Sequence, residues 1–375
     1  MQAWVVRGDG EPAAVLAREA VAEPDPDRLA GLKLDLAGWV TDPALLGNDD
    51  PEEAALFATR TAAVAARPPY EDWVLLRVDV AALALPDVTM ARGTYPVRVA
   101  RPYITGQEAV GEVIDAPPAK AHLVGRRVVA VTMQPWGSLA PVCVGVGPVF
   151  EVPDGMTAAD AAGLVIPAHT GYHAAVRRGG VAAGERVVVL GAAGGLGSAM
   201  VQIAAARGAE VIAVVGDDAK AAHVTALGAR HAVVHGGGDV AAAVRAQLGV
   251  APVDVVLDPV QGDMGPSARW LLAPDGRWVV CGHAGGLRPI DPHFYMQNHT
   301  IVGATLGGYT RDVMRAMEHE AQDTVVAWWR EGRFRPVTTE VVSFDAVPEA
   351  CTAIAERRTR GRVVVEVTPG AAGQA

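Results

Sequence analysis

Runs of apolar residues and segments of helical periodicity alternate through the central part of the chain. A run at 186–190 is followed at once by four glycines, then by a helical segment at 198–207 and a second apolar run at 211–215. Strands buried on both faces have this continuous apolar character, and Gly208 lies where a helix C-cap is expected. The pattern therefore predicts a βαβ unit with a glycine turn between its first strand and its helix.

The same alternation continues beyond this unit. The predicted elements are, in chain order, a helix at 219–227, a strand at 231–234, a helix at 240–248, a strand at 253–258, a helix at 264–272, strands at 277–282 and 301–306, and helices at 311–331 and 347–358. Regular alternation of strands with helices is typical of a doubly wound parallel sheet. The sequence therefore predicts an α/β fold with a doubly wound parallel sheet in this region.

The N-terminal part consists of short apolar strands separated by glycine and proline. We predict a strand at 2–6 with 15–21 as its pairing partner, followed by the strands WVLLRVDV, VGEVIDA, RVVAVTM and VCVGV. Short strands at such spacing favour a small, partly closed barrel, which the last apolar run at 362–367 is expected to rejoin. A helix from Asp50 to about Ala66 is predicted ahead of the barrel strands.

The glycine turn is a candidate cofactor site. Glycines at such a turn let the backbone approach a pyrophosphate, whose negative charge is stabilised by the N-terminus of the following helix. The alternative is a turn that only packs the helix against the strand. The candidate cofactor-binding residues of the turn are Gly191, Ala193, Gly194, Gly195, Leu196 and Gly197.

Length, charge and cysteine usage restrict the classes of protein. A chain of 375 residues exceeds the usual size of one core, so two domains are expected. A formal net charge of −10 argues against nucleic acid or an anionic membrane as a partner. Neither a signal peptide nor a transmembrane run is apparent, and Cys143, Cys281 and Cys351 form no CxxC pair. We expect a cytoplasmic protein with a small-molecule substrate.

The chain resembles the medium-chain dehydrogenase/reductases, and specifically their zinc-free quinone oxidoreductase/enoyl reductase branch. The resemblance covers nearly the whole chain except about residues 26–70. The matching stretches are RGTYP (92–96), GQEAVGEV (106–113), VPDGMTAADAA (152–162), HTGYHAAV (169–176), GERVVVLGAAGGLGSAMVQIAAARGAEVIAVV (184–215), LGA (227–229), DVVLDPV (254–260), GRWVVCG (276–282), IVGATLGGY (301–309) and RRTRGRVVVEV (357–367).

This resemblance implies the domain organisation. A GroES-like β-barrel catalytic domain would comprise residues 1–170 and 309–375, with an unusual insert at about 26–70. A Rossmann cofactor-binding domain would comprise residues 171–308, with the active site in the cleft between the two domains. The resemblance also implies hydride transfer from NADPH or NADH and a homodimer that joins the Rossmann sheets edge to edge.

The residues at the zinc-ligand positions of zinc-dependent relatives predict that no metal is bound. By motif matching, the two cysteine positions fall on Leu85 and near Ile166, and the His-Glu pair falls on Gln107 and Glu108. An apolar side chain has no lone pair to offer a metal, so this set is unable to hold zinc tetrahedrally. Without a Lewis acid, reduction of an activated C=C bond or a quinone is favoured over oxidation of an alcohol.

The residues that end the second strand of the βαβ unit bear on the choice between NADPH and NADH. An NAD site places a carboxylate there for the ribose hydroxyls, whereas this strand ends in the uncharged Gly216. Lys220 matches a phosphate-binding lysine of NADPH-using relatives, which favours NADPH. Asp217 and Asp218 would repel a 2′-phosphate, so Asp217 as a ligand of the NADH ribose and Asp218 as a helix cap remain alternatives.

Three residues are candidates for a catalytic role at the nicotinamide. The resemblance places Tyr95 in the cleft, where its hydroxyl would stabilise an enolate oxygen or protonate the α-carbon. A second tyrosine of some relatives is Thr89 here. Gln107 is expected to contact the carboxamide or substrate, and Thr170 to lie beside the nicotinamide. The alternatives are a loop tyrosine that packs the barrel mouth and a core amide.

Five further residues complete the set of candidates. Cys281, Gly282 and His283 lie where relatives approach the nicotinamide, mainly through backbone groups. Trp136 is a candidate aromatic wall for the substrate, and His169 a candidate substrate contact. A loop tryptophan and a packed histidine are the alternatives, and the arginines at 357–362 are interpreted as a solvated helix end.

The combined prediction is a zinc-independent, NADPH-preferring reductase of an enone, an enoyl thioester or a quinone. Two alternatives use the same fold. One is a dehydrogenase or another transformation in a biosynthetic pathway, and the other is a cofactor-binding protein with little catalytic activity.

Overall fold

The structure is a computed structural model that describes residues 1–26, 51, 55, 73–95, 99, 101–132, 134–249, 252–306, 309 and 311–375. The insert predicted at 26–70, and the helix predicted from Asp50 to Ala66 within it, lie almost wholly outside these residues. The described residues divide into two compact units. The first comprises Met1–Ala162, Glu340–Thr359 and Val363–Ala375, and the second comprises Gly163–Thr339 and Arg360–Arg362.

The strands of the described residues are numbered in chain order. They are β1 (Gln2–Val6), β2 (Leu16–Ala20), β3 (Trp73–Leu83), β4 (Tyr103–Ile104), β5 (Glu108–Asp115), β6 (Arg127–Thr132), β7 (Val142–Glu151), β8 (Arg186–Val189), β9 (Glu210–Val215), β10 (His231–Val234), β11 (Val253–Asp258), β12 (Leu272–Val280), β13 (Thr300–Gly303), β14 (Thr338–Ser343) and β15 (Arg362–Glu366).

Helices connect or cover these strands. The α-helices of the described residues are Pro12–Val15, Leu85–Ala91, Ala158–Ala161, Ile166–Tyr172, Gly195–Ala206, Asp218–Ala226, Val240–Leu248, Met264–Arg269, Arg311–Arg330 and Val347–Ala355, and a π-helical turn covers His173–Arg178. None of the described helices combines the length and the apolar character that crossing a membrane requires.

The first unit is built on a barrel-like sheet. Its strand order is β14-β15-β3-β5-β6-β7, and an additional pairing of β3 with β7 closes the ring of four strands. The long strand β3 makes this closure possible, because it pairs antiparallel with both β5 and β7. The predicted return of the last strand is confirmed, since β15 pairs antiparallel with β3. A separate sheet has the order β2-β1-β4 and confirms the predicted pairing of the first two strands.

The second unit contains a six-stranded parallel sheet. Its order is β10-β9-β8-β11-β12-β13, the doubly wound order of a Rossmann fold. The helix Gly195–Ala206 follows β8 and buries Met200, Val201, Ile203 and Ala204 completely. Gly208 ends this segment with φ +83°, as a left-handed C-cap requires. The βαβ prediction is therefore confirmed.

Several predicted details differ from the structure. The helix predicted at 264–272 ends at Arg269, because Leu272 already begins β12. The helix Leu85–Ala91 lies in a region that we interpreted as entirely β. Arg362 corrects the interpretation of 357–362 as a solvated helix end, since its side chain is buried in β15. The helix Arg311–Arg330, predicted for the GroES-like domain, falls in the compact unit with the parallel sheet.

Candidate active site

The glycine turn after β8 brings backbone groups unusually close together. A Cβ atom at Gly197 would lie 2.2 Å from the carbonyl oxygen of Gly191 and 2.7 Å from the Cα atom of Ala192. Gly191 itself has φ +56°, a conformation that favours glycine. The turn therefore depends on glycine at both positions, for backbone conformation at one and for close approach at the other.

The helix that follows the turn begins without a side-chain cap. Its N-cap residue is Gly194, which offers no oxygen to the N–H groups of the first turn. Those N–H groups have no carbonyl partner within the helix, so they are available to an external acceptor. Leu196 is half-buried and Ala193 is buried, with its carbonyl oxygen accepting from Gly361 N at 2.7 Å. These residues fit the pyrophosphate of a dinucleotide.

The end of β9 carries an acid and a base in contact with each other. Asp217 caps the helix Asp218–Ala226, since its carboxylate accepts from Lys220 N at 2.9 Å, and it also lies 3.3 Å from Lys220 Nζ. The hydrogen bond from the Lys220 backbone, supported by the ammonium, lowers the pKa of the Asp217 carboxyl. Gly216 is exposed and faces open space. Asp217, rather than Asp218, is the helix cap.

Basic groups lie one helical turn beyond Lys220. His223 Nε2 is 3.3 Å from Ser198 Oγ, which joins the helix Asp218–Ala226 to the helix after the glycine turn. Burial lowers the pKa of His223, and the charges of Arg360 and Arg335 lower it further. The two arginine charges therefore act on a residue of the same helix that carries Lys220. Sequence reasoning missed both, because they come from segments more than 100 residues further along the chain.

The turn after β12 contains the predicted contacts Cys281, Gly282 and His283. Cys281 N donates to Asp258 O at 2.9 Å, and its Sγ lies 3.9 Å from Met200 Sδ. Burial raises the pKa of the Cys281 thiol and lowers that of His283, so both side chains are neutral near pH 7. The position of Gly282 against the neighbouring loop favours a backbone role for this turn, because a Cβ there would lie 2.6 Å from Pro259 O.

The helix Ile166–Tyr172 carries two of the predicted site residues, and they differ in burial. Thr170 is half-buried, whereas His169 is 1 % exposed and its Nε2 lies 2.9 Å from Gln322 Oε1. Burial lowers the pKa of His169 to about 4. The His169 ring is therefore neutral and held inside the second unit, a position that does not favour the predicted substrate contact.

Tyr95 and Gln107 lie around one methionine of the first unit. Tyr95 is half-buried against the apolar cluster that includes Met90, and Gln107 Nε2 donates to Met90 Sδ at 2.7 Å. Burial raises the pKa of Tyr95, and the charge of Asp87 raises it further. The tyrosine therefore keeps its proton near neutral pH and is able to donate a hydrogen bond.

Asp87 links the segments that carry these two residues. Its carboxylate accepts from Ala84 N at 2.9 Å and from Gly106 N at 3.1 Å. The first bond caps the helix Leu85–Ala91, and the second fixes the residue that precedes Gln107. Sequence reasoning did not single out Asp87, although an acidic residue in a first helical turn is a recognisable capping signal.

Trp136 occupies a different environment. Its ring is half-buried against the apolar cluster of Trp73, Leu75, Val142 and Val144. Its backbone oxygen accepts from Val144 N at 3.2 Å. This tryptophan therefore packs on the barrel, and a partly exposed face remains for the predicted substrate wall.

Two of the residues at the zinc-ligand positions contact apolar or thioether groups. Leu85 packs against an apolar cluster of the first unit, and Gln107 contacts Met90. In the part of the chain that the structure describes, no three His, Cys, Asp or Glu side chains are grouped so that they could hold a metal ion.

Two family models match overlapping parts of the chain. The alcohol dehydrogenase GroES-like domain matches residues 70–201, and the zinc-binding dehydrogenase family matches residues 195–322. The junction falls in the helix after the glycine turn. Together with the barrel and the parallel sheet, these matches define an NAD(P)-dependent oxidoreductase.

Individual relatives indicate which family of oxidoreductases the chain resembles. The chain is 28 % identical over 309 residues to quinone oxidoreductase-like protein 2 of Rattus norvegicus, covering 81 % of this chain and 87 % of that protein. It is 27 % identical over 336 residues to acryloyl-coenzyme A reductase of Sulfurisphaera tokodaii, covering 80 % and 93 %. The quinone oxidoreductase of Thermus thermophilus, solved also as a complex with NADPH, superposes with a TM-score of 0.72 at 28 % identity, covering 98 % and 100 %. The chain belongs to the medium-chain dehydrogenase/reductase family, in its quinone oxidoreductase branch.

Proposed function

We propose that this protein is a zinc-independent, NADPH-preferring reductase of an activated C=C bond, in an enone or an enoyl thioester, or of a quinone. The observation that carries the proposal is the uncapped helix at the glycine turn, with Lys220 in the first turn of the helix that follows β9. A nicotinamide cofactor supplies the hydride in such a reaction. The relatives named for quinone and acryloyl-coenzyme A reduction support the substrate class.

We infer zinc independence from the side chains at the zinc-ligand positions of zinc-dependent relatives. Leu85 offers no lone pair, and the amide of Gln107 is already directed at a thioether. An alcohol is hard to oxidise without a Lewis acid, whereas a conjugated acceptor spreads the developing charge through its own π-system. Dialysis against a chelator should therefore leave the rate of NADPH oxidation unchanged, and a rate that falls and returns on addition of Zn²⁺ would contradict the proposal.

The protein's own groups have two tasks in this reaction. The proposed role of Thr170 is to contact the nicotinamide and orient its reactive face. Tyr95 is protonated at neutral pH because burial and the charge of Asp87 raise its pKa, so it is suited to donate a hydrogen bond to a developing enolate oxygen. Tyr95→Phe should lower kcat by about tenfold or more with little change in NADPH affinity.

The preference for NADPH rests on Lys220, in the first turn of the helix that follows β9. A 2′-phosphate there would meet the Lys220 ammonium, and loss of one charge-assisted hydrogen bond costs about tenfold in affinity. Lys220→Ala should therefore raise the KM for NADPH about tenfold and leave the KM for NADH unchanged, as measured by steady-state kinetics with both cofactors.

Asp217→Asn is the matched variant for this experiment. Asparagine caps a helix as well as aspartate does, so the helix Asp218–Ala226 should keep its N-terminus while the site loses one negative charge. The KM for NADPH should fall in this variant. An unchanged KM for NADPH in Lys220→Ala would show that the assignment of NADPH is wrong.

A panel of acceptors tests the reductase itself. Menadione, methyl vinyl ketone and crotonyl-coenzyme A represent the quinone, enone and enoyl thioester classes. NADPH oxidation with at least one of them is expected. Tight binding of NADPH without turnover of any acceptor would instead favour a cofactor-binding protein with little catalytic activity.

We also propose that the protein is a homodimer. Among the described residues β13 is an edge strand of the parallel sheet, and the segment before it exposes Tyr295 and Met296 at 66 % and 68 %. An unpaired strand edge next to exposed apolar side chains favours pairing with a second chain.

A further inference from the structure

The turn after β12 rests on the loop after β11. We call residues 281–286 the β12 turn and residues 259–262 the β11 loop. The N–H group of Gly285 in the turn donates to the carbonyl oxygen of Val260 in the loop at 2.7 Å. The conformation of the β12 turn is therefore coupled to that of the β11 loop.

The two segments touch backbone to backbone. Gly262 N donates to Gly286 O at 2.9 Å, and a Cβ atom at Gly262 would lie 2.5 Å from Gly285 O. On the other side, a Cβ atom at Gly282 would lie 2.6 Å from Pro259 O. Close packing of this kind transmits a shift of the loop directly to the turn, because these contacts join backbone atoms.

The β11 loop is in turn held by one buried carboxylate. Asp258 is completely buried, and its Oδ1 accepts from Val260 N and Gln261 N, each at 2.7 Å. Its Oδ2 accepts from the indole Nε1 of Trp278 at 2.9 Å. Gln261 has φ +50°, an uncommon conformation for a residue other than glycine, so its N–H bond to Asp258 helps to hold a strained backbone.

The absence of a side chain at Gly265 leaves room for the Asp258 carboxylate. A Cβ atom at Gly265 would lie 2.2 Å from Asp258 Oδ2 and 2.7 Å from Trp278 Cζ2. All three partners of Asp258 are donors, so the site matches an ionised carboxylate, which only accepts hydrogen bonds. Burial raises the pKa of Asp258, and the bonds from Gln261, Val260 and Trp278 oppose that rise. The three accepted bonds thus offset part of the cost of burying the charge.

We propose that Asp258 is a positioning residue that fixes the β12 turn for contact with the nicotinamide half of the cofactor. This inference rests on the proposed function, together with the backbone contact to the nicotinamide that the family resemblance implies for Gly282 and its neighbours. It assigns Asp258 no contact with cofactor or substrate. Its effect passes through the β11 loop.

The test compares the two halves of the cofactor. Asp258→Ala removes the carboxylate that accepts from Val260 N and Gln261 N, so kcat for NADPH oxidation with the accepted substrate should fall about tenfold or more. Affinity for adenosine 2′,5′-bisphosphate, which lacks the nicotinamide, should stay within about twofold of wild type. Asp254→Ala is the matched control, because this residue lies in the same strand and its carboxylate holds Arg186 N at the opposite end.

A conservative variant separates positioning from folding. In Asp258→Asn the amide oxygen keeps the two backbone donors, but its NH₂ group faces the indole N–H of Trp278. Asp258→Asn combined with Trp278→Phe removes that donor–donor conflict and should recover most of kcat. If Asp258→Ala does not fold, the double variant is measured in its place. A double variant that folds but lacks activity would overturn the inference.

The remaining outcomes are distinct. Equal losses in affinity for NADPH and for the bisphosphate would show that Asp258 only stabilises the unit as a whole, and would overturn the inference. Unchanged kcat in Asp258→Ala would do the same while leaving the proposed function intact. Absence of NADPH binding by the wild-type protein would overturn the proposed function and this inference with it.

Discussion

At the scale of single residues, Gly197 tests how closely the cofactor turn is packed. Gly197→Ala would place a Cβ atom 2.2 Å from Gly191 O, and this contact is with backbone, which is unable to rotate away. We expect a loss of about 1–3 kcal/mol in the free energy of unfolding, typical of overpacking. Urea unfolding followed by circular dichroism measures it.

Gly216→Ala serves as the control for this variant. Nothing lies within 4 Å of a Cβ atom at Gly216, and the residue is exposed. Its free energy of unfolding should stay within about 0.5 kcal/mol of wild type. If Gly197→Ala is as stable as Gly216→Ala, the close approach of Gly197 to Gly191 is not a feature of the protein in solution.

The residues of the cofactor site differ in how far the sequence could predict them. The glycines were predictable because their conformational role is local to the strand–turn–helix segment. The two arginines whose charges act on His223 were not predictable, because only the tertiary fold brings Arg335 and Arg360 near this residue. Asp258 left a local signal, an acidic residue at a strand end before proline, but its pairing with Trp278 is a contact made across the sheet.

At the scale of elements, the contact of helix Ile166–Tyr172 with helix Arg311–Arg330 should make stability depend on pH. Burial lowers the pKa of His169 from 6.5 to about 4. The folded state therefore favours the neutral ring, and this contribution is present above pH 6.5 and is lost as pH falls toward about 4. His169→Gln should reduce the dependence of the unfolding free energy on pH in this window by up to about 1.4 kcal/mol per pH unit.

His122→Gln is the matched control, because this histidine is exposed on a short 3₁₀ helix. Its unfolding free energy should follow the same pH dependence as wild type. A slope for His169→Gln that equals the wild-type slope between pH 6.5 and 4 would mean that the buried ring does not titrate as its environment predicts.

Helices and strands were predictable where the hydrophobic periodicity and the capping or turn residues indicated the same boundaries. Each strand of the parallel sheet contains an apolar run, and the three helices between β8 and β11 have a capping aspartate or a stopping glycine. The helix Leu85–Ala91 was not predicted, because it is short and follows directly on the apolar strand β3. Its N-terminus depends on Asp87, whose bond to Gly106 N joins segments that are distant along the chain.

At the scale of the whole molecule, the proposed dimer predicts the mass of the protein in solution. One chain has a mass of 38.8 kDa, so light scattering should report twice this value. Met296→Glu would place a charge in the proposed contact beside β13 and should weaken dimerisation about tenfold or more.

Val341→Glu is the control, because Val341 is also exposed but belongs to β14 in the other sheet. It should leave the mass at the dimer value. A monomeric wild-type protein, or equal effects of the two substitutions, would contradict a dimer formed through the β13 edge.

The most direct test of reduction by this protein is transfer of deuterium from NADPH labelled at the reactive C4 position. The protein would be treated with a chelator and then incubated with labelled NADPH and crotonyl-coenzyme A or methyl vinyl ketone. Mass spectrometry of the product locates the label. We predict reduced product with deuterium on the electrophilic carbon, whereas bound NADPH with no labelled product from either acceptor would contradict reduction of an activated C=C bond.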